Sequence, residues 1–347
     1  MTTWERLADL SLAVESYELE GLEQAVSSEF VRRTTVIRLQ GGDYEGVGED
    51  VTYEGSDHAA AQAAGPVLPL AGRHTLASFS DLLDGLPLFP GDPAQEAFRL
   101  YRRWAYESAA LDLALRQAGS SLGGRLDREP RPVRFVVSMR LGEPPSVDLF
   151  RRWLELYPEL RFKLDPTSSW DEELIGELVA TGAVDSVDLK GAYKGTVVDQ
   201  PPDPMLYRRV ADAFPAAWIE DPALTPETEP VLLPHRDRVT WDAPIHSVAD
   251  IEALPFPPRT LNIKPSRFGS LSALVEAYDY CAARRIETYG GGQFELGPGR
   301  GQIQHLASLF SPDGPNDVAP GAYNAGKAVP GLPTSPLPPP PDRPGFR

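Results

Sequence analysis

The chain has 347 residues, and its 33 Lys and Arg against 50 Asp and Glu give a formal charge of −17, which excludes nucleic acid as a partner because phosphate backbones need a concentrated basic surface. Its 41% hydrophobic content supplies a large core, but no apolar run approaches the roughly 20 residues that span a bilayer and no apolar leader opens the chain, so no membrane contact and a cytoplasmic location are expected. A lone cysteine (Cys281) and five histidines leave neither an internal disulfide nor a zinc site, and 36 prolines with 30 glycines make the chain turn-rich without being disordered.

The first 55 residues read as β structure. Residues 31–39 are rich in β-branched side chains and residues 44–53 follow after Gly41-Gly42-Asp43, which predicts an antiparallel hairpin. After Asp92 the period changes. Apolar residues recur at three- and four-residue spacings over 93–119, which predicts one amphipathic helical region capped by Asp92 and ended by Gly119. From Pro132 onward, short apolar or β-branched runs alternate with helical ones. Strands are expected at 134–139, 160–165, 184–189, 216–221, 238–243 and 260–265, with weaker ones at 284–290 and 316–321. Helices at 147–157, 171–181 and 204–214 lie between them. Eight strand–helix units in about 190 residues fit a closed parallel barrel better than an open sheet. The segment 329–347 holds eight prolines and should lie extended on the surface.

Polar residues interrupt the barrel runs at their C-terminal ends, the rim where barrel enzymes place their chemistry. Lys163 and Asp165 end the second run, Asp188 the third, Glu220 the fourth, Asp242 the fifth and Lys264 the sixth. The intervals from Asp165 onward are 23, 32, 22 and 22 residues, one strand–helix repeat each. An Asp at one strand end reads as a cap or turn residue, but five such residues at barrel spacing do not. Three carboxylates on one rim (Asp188, Glu220, Asp242) repel unless a hard divalent cation lies between them, and oxygen-only ligands suit Mg²⁺, with Mn²⁺ as the alternative. Such a cation polarises a substrate carboxylate and stabilises the enediolate left by a departing α-proton. A lysine crowded by positive charge becomes a base near neutral pH.

Several motifs in this chain resemble the enolase superfamily, and within it the group with lysines on the second and sixth barrel strands: muconate cycloisomerases, o-succinylbenzoate synthases and dipeptide epimerases. Gly46-Val47-Gly48-Glu49 looks like the GxGE turn of that family's N-terminal capping domain, and the segment Ser108-Ala109-Ala110-Leu111-Asp112-Leu113-Ala114 looks like its alanine-rich helix. Trp218-Ile219-Glu220-Asp221-Pro222 is similar to the WIEEP signature, Trp241-Asp242 to the next metal ligand and Ile263-Lys264-Pro265 to the catalytic lysine strand. Gly291-Gly292-Gln293-Phe294-Glu295, followed by Gly297, looks like the segment after the seventh strand. The resemblance covers about residues 5–325. It implies an α/β chain with a modified TIM-like (β/α) barrel over 131–321 and an α+β capping domain over 1–130 completed by the Pro-rich segment 322–347. It implies Lys264, Lys163 and Asp165 as catalytic, Asp188, Glu220 and Asp242 as Mg²⁺ ligands, a small-molecule carboxylate substrate and a homo-oligomer.

The departures narrow the reaction. The family's second strand carries Lys-x-Lys, where this chain reads Lys163-Leu164-Asp165; the third usually reads Asp-x-Asn, where this chain reads Asp188-Leu189-Lys190. Strand parity points Lys190 the same way as Asp188, where it can stand near the metal, reach the missing amine's place or pair with Asp165. Placing Ser138-Met139-Arg140 on Lys-x-Lys instead leaves 55 residues between Asp165 and Glu220, almost two repeats, and is rejected. Without the second lysine, two-base racemisation is disfavoured. One-base elimination or cycloisomerisation, with Lys264 as base and Asp165 as acid, is expected, like an o-succinylbenzoate synthase or a dehydratase. The alternative is a non-catalytic relative that binds a carboxylate ligand. Lys190, Glu295 and Arg300 are the substrate-binding candidates, Arg300 because Gly297-Pro298-Gly299-Arg300-Gly301 precedes a helical run that can hold an anion. His58 reads as a loop residue past the hairpin.

Overall fold

The computed structural model describes residues 1–26, 30–194 and 199–347. In chain order it holds β1 (Ser11–Val14), β2 (Ser16–Ala25), β3 (Val31–Gly41), β4 (Tyr44–Asp50), α1 (Gly55–Ala64), β5 (Gly72–Thr75), α2 (Leu76–Asp84), α3 (Phe98–Gln117) and α4 (Leu122–Leu126). There follow β6 (Val137–Met139), α5 (Asp148–Leu156), β7 (Phe162–Leu164), α6 (Glu172–Thr181), β8 (Val184–Asp188), α7 (Pro204–Ala213), β9 (Trp218–Glu220), α8 (Glu229–Leu232) and β10 (Val239–Thr240). The chain continues through α9 (Val248–Glu252), β11 (Thr260–Ile263), α10 (Pro265–Phe268), α11 (Leu271–Arg284), β12 (Glu287–Gly290) and α12 (Pro298–Phe310).

The expected hairpin is β3–β4, and β2 extends it to three antiparallel strands. Its two glycines have a packing reason. A Cβ on Gly46 would lie 2.3 Å from the Ala109 carbonyl oxygen, and one on Gly48 2.0 Å from that of Ala105. Glycine on the strand and alanine on α3 thus let backbone meet backbone, so the two motifs are halves of one contact. The helix α3 starts at Phe98, later than the periodicity predicts. Residues 95–97 close i→i+3 turns instead, and Asp92 pairs with Arg99 at 3.2 Å rather than capping the helix. Gly119, at φ 64°, follows its end as expected.

Strands β6 to β10 lie side by side in parallel, and β11 and β12 form a second parallel pair. The Asn262 N–H donates to the Trp241 carbonyl at 3.0 Å and joins the two groups. The eighth strand shrinks to Asn316 and Asp317, whose parallel bridges to Phe135 and Gly291 close the barrel. Strands β7, β9, β10 and β11 stop shortly before Pro166, Pro222, Pro244 and Pro265, because proline offers no N–H to a neighbouring strand. One apolar core runs from Leu39 and Leu113 to Phe162, Ile219 and Ile263.

The Pro-rich segment is extended but not superficial. Leu337 pairs with Val133, Gly345 pairs with Ser121, and Phe346 is fully buried, edge-on to Trp104. Asp112 fixes this end by accepting the N–H groups of Phe346 (2.8 Å) and Val47 (3.1 Å) and Arg116 Nε (2.9 Å). An aromatic ring among the prolines supplies the burial that proline itself cannot.

Candidate active site

The barrel rim gathers the residues that the spacing predicts. Lys163 sits in β7, Asp188 and Glu220 end β8 and β9, Lys264 follows β11, and Asp242 lies two residues past β10. All are buried: the three carboxylates are 0% exposed, Lys163 2% and Lys264 7%, so the cluster is closed to solvent. A surface depression of about 350 Å³, lined by Trp218, Arg238, Arg259, Arg285 and Glu287, lies at the opposite end of the strands.

Within the cluster the chain's own cations meet its acids. Lys163 Nζ donates to Glu220 Oε1 and lies 3.1 Å from Asp188 Oδ2. Glu220 Oε2 accepts from the Tyr289 hydroxyl. Lys264 Nζ donates to Asp242 Oδ2 at 2.8 Å, and the same oxygen accepts from the Tyr193 hydroxyl at 3.0 Å and Arg267 Nη2 at 3.3 Å. Asp242 Oδ1 is buried without a hydrogen-bond partner. Both oxygens of Asp221 accept backbone N–H groups, from Asp242 at 2.8 Å and Ala243 at 2.9 Å, and so hold the strand end that carries Asp242.

The electrostatics follow from burial and from these pairs. Burial alone would raise the Asp188 carboxyl, but Lys190 and Lys163 hold it well below the usual range. Burial lifts Glu220 well above that range against the pull of Lys163. Burial and the neighbouring Asp242 push Asp221 up to about 6. Burial would lower Lys163 and Lys190, yet Glu220 and Asp188 raise the first, and Asp165 and Asp188 the second. In both cases the surrounding carboxylates outweigh burial.

Asp165 Oδ2 accepts Arg140 Nε at 2.9 Å, and Oδ1 lies 3.5 Å from Lys190 Nζ. Lys190 Nζ donates to Asp188 Oδ2, and the Lys190 backbone N–H donates to Asp188 Oδ1 at 3.1 Å. Strand parity does not produce this contact. β8 ends at Asp188, and Lys190 turns back through a left-handed φ of 54°. The register with Lys163 in the second strand holds, since β6 pairs Ser138 with Lys163 and the segment 184–188 is a strand of its own.

Glu295 and Arg300 pair with each other (3.4 Å). The anion position ahead of α12 is filled by Glu49, which accepts the N–H groups of Leu296 (2.6 Å), Gly297 (3.0 Å) and Gly299 (2.9 Å). His58 is not a loop residue. It is buried in α1, where its ring nitrogens meet Thr35 Oγ1 at 2.9 Å and the Thr52 carbonyl at 2.8 Å. Four residues escaped the sequence reading. Asp221 lies inside one quoted motif, Arg267 and Tyr289 sit beside two others, and Tyr193 carries no signal. Arg32, which reads from the sequence as a solvated strand residue, is buried instead: its guanidinium binds the carbonyls of Val51, Thr52, Gln293 and Phe294 and ties the hairpin to the loop after β12.

An all-oxygen donor set fits a hard divalent cation. Asp188, Glu220 and Asp221 each bring a carboxylate oxygen within 4.8 Å of the others. Asp221 thus stands in this group where the spacing expects Asp242, whose backbone N–H donates to it.

Two family models, described as the N-terminal and C-terminal domains of a domain of unknown function (DUF8230), match residues 5–125 and 129–325. The chain is 29% identical over 311 residues to an N-succinylamino acid racemase of Amycolatopsis, covering 85% of this chain and 79% of the relative. Structural neighbours are members of the enolase superfamily. A probable mandelate racemase of Alicyclobacillus acidocaldarius matches with TM-score 0.70 at 20% identity, covering 96% of this chain and 94% of that one. A dipeptide epimerase of Methylococcus capsulatus, solved with a magnesium ion, matches with TM-score 0.67 at 18% identity, covering 92% and 93%. Among the described residues no helix is long and apolar enough to cross a membrane.

Proposed function

Because this chain belongs to the DUF8230 family and is built on the enolase-superfamily fold, we propose that it removes the α-proton of a small carboxylate at its barrel rim and completes an elimination or cycloisomerisation, as a lyase or isomerase. One observation carries the reading: the Lys264 amine stands 2.8 Å from Asp242, whose second oxygen is buried without a hydrogen-bond partner and whose charge acts on Glu220 and Asp221. Asp188, Glu220 and Asp242 would hold Mg²⁺ or Mn²⁺. When bound, the cation supplies Lewis-acid polarisation of the substrate carboxylate and stabilises the charge left by the departing proton. Lys264 Nζ takes that proton, and Asp242 Oδ2 stabilises the ammonium formed. Lys163, held against Glu220 and Asp188, keeps a positive charge beside the substrate carboxylate. Asp165 stands at the end of the strand where the family's other lysine is missing, and Lys190 reaches to 3.5 Å from it from beyond the next strand, which favours a one-base reaction over racemisation. A cytoplasmic homo-oligomer acting on a small carboxylate belongs to the same reading.

The test is solvent deuterium exchange with Mg²⁺ across a panel of carboxylic acids. Incorporation into at least one acid is expected, with loss in Lys264→Ala. Exchange that survives in Lys264→Ala would overturn Lys264 as the base. The closed, self-neutralised cluster favours a second reading, a non-catalytic carboxylate binder, which predicts ligand binding with no incorporation into any acid.

A further inference from the structure

We propose that Lys190 is a tethered counter-ion that keeps the cation position of the rim closed, and that a divalent cation enters only as this ammonium moves from Asp188 to Asp165. The inference rests on the reading of Asp188, Glu220 and Asp242 as the cation's carboxylates and adds the regulation of that site.

Three observations carry it. First, one residue occupies both oxygens of Asp188: the Lys190 backbone N–H takes Oδ1 at 3.1 Å and the ammonium takes Oδ2. That grip requires the left-handed backbone at Lys190, a conformation that residues other than glycine adopt rarely and that persists where the surroundings enforce it. Second, a landing place is already built. Asp165 Oδ1 lies 3.5 Å from the same ammonium and is buried without a hydrogen bond, while Arg140 fixes Oδ2 at 2.9 Å. The Tyr193 ring, 5.1 Å from Nζ, flanks the ammonium. Third, the charges oppose a cation while Lys190 stays in place. Lys163 already lies 3.1 Å from Asp188 and donates to Glu220, so a divalent cation entering with Lys190 in place would meet two ammonium groups at one carboxylate. Moving Lys190 to Asp165 relieves that repulsion and keeps the ammonium paired. The two departures from the family pattern are thus one device. Asp165 alone would add a carboxylate to an acidic rim, and Lys190 alone would have nowhere to retreat.

The experiment measures binding rather than turnover: Mn²⁺ by electron paramagnetic resonance and Mg²⁺ by calorimetry on the full chain. The proteins are wild type, Lys190→Asn, Lys190→Met as a second lysine-free variant if the first folds poorly, Asp165→Asn, and Lys190→Asn combined with Asp188→Asn. Removing Lys190 is expected to tighten one Mn²⁺ site at least tenfold. Asp165→Asn should weaken it several-fold, and the double variant should lose it. If wild type and the lysine-free variants bind equally well, the tether is refuted and the carboxylate site stands. If none of the folded proteins binds either ion, the reading of the carboxylates falls with it.

Discussion

Replacing Glu49 by alanine should cost the protein about 3–5 kcal/mol, because three backbone N–H groups, one buried and two part-buried, lose one shared acceptor. The carboxylate accepts from Leu296, Gly297 and Gly299 at 2.6–3.0 Å, at the positive end of α12. Each charge-assisted bond is worth about 1.5–3 kcal/mol, and each donor left dry costs about 1–3 kcal/mol. Part of this is offset in the native protein, where burial and the nearby Glu295 raise the Glu49 carboxyl. Water entering the vacated space recovers another part, which leaves the estimate near the cost of two lost bonds. Urea unfolding should show the loss as a lower midpoint with an unchanged slope. Gly299→Ala attacks the same contact from the other side, since its Cβ would lie 2.9 Å from Glu49 Oε2. The double variant should therefore lose less than the sum of the two by about 1 kcal/mol or more. A loss below about 1 kcal/mol for Glu49→Ala, or strict additivity with Gly299→Ala, would refute the reasoning.

Gly48→Ala, whose Cβ would sit 2.0 Å from the Ala105 oxygen, should destabilise by about 3 kcal/mol or more, whereas Gly42→Ala meets only its φ of 59° and should cost about 1 kcal/mol; equal midpoint shifts for the two would contradict this. Burial pushes His305 down from 6.5 to about 4, so the unfolded chain takes up a proton before the native one does. Stability should stay level above the unfolded value and fall by up to about 3 kcal/mol as the pH drops toward the native one; His305→Leu should flatten that slope in urea titrations, and an unchanged slope would count against the assignment. Burial also lifts the Cys281 thiol to about 12, so a thiol reagent should label it only after denaturation, and rapid labelling of the native protein would count against that burial.

The barrel was legible because its unit is long and repeated: a strand plus a helix fixes the interval, and the interval delivers Asp188, Glu220, Asp242 and Lys264 to one rim. The weak eighth strand could not be sized, because two bridging residues, Asn316 and Asp317, suffice to close the ring and leave no periodic signal. Lys190 was singled out, but its geometry lay outside strand parity, because a left-handed turn at a lysine has no compositional mark. Arg32 reads from the sequence as a solvated residue, and its role stayed hidden. It binds backbone carbonyls, and a carbonyl looks the same at every residue. Glu49 was recognised as a motif residue while its task stayed hidden, since the helix it caps lies about 250 residues away in sequence.

That cap bears on how the two halves of the chain can be exchanged. A helix normally carries its own N-terminal acceptor, but α12 borrows one from a β-strand of the other half, and Arg32 draws the loop before it to the same place. A chimera that joined this barrel to another N-terminal half would inherit an uncapped helix unless the donor carried a carboxylate at the matching height. The parts resemble interchangeable modules, but their junction makes them one heritable unit, and recombination would have to carry residues 49 and 296–299 together.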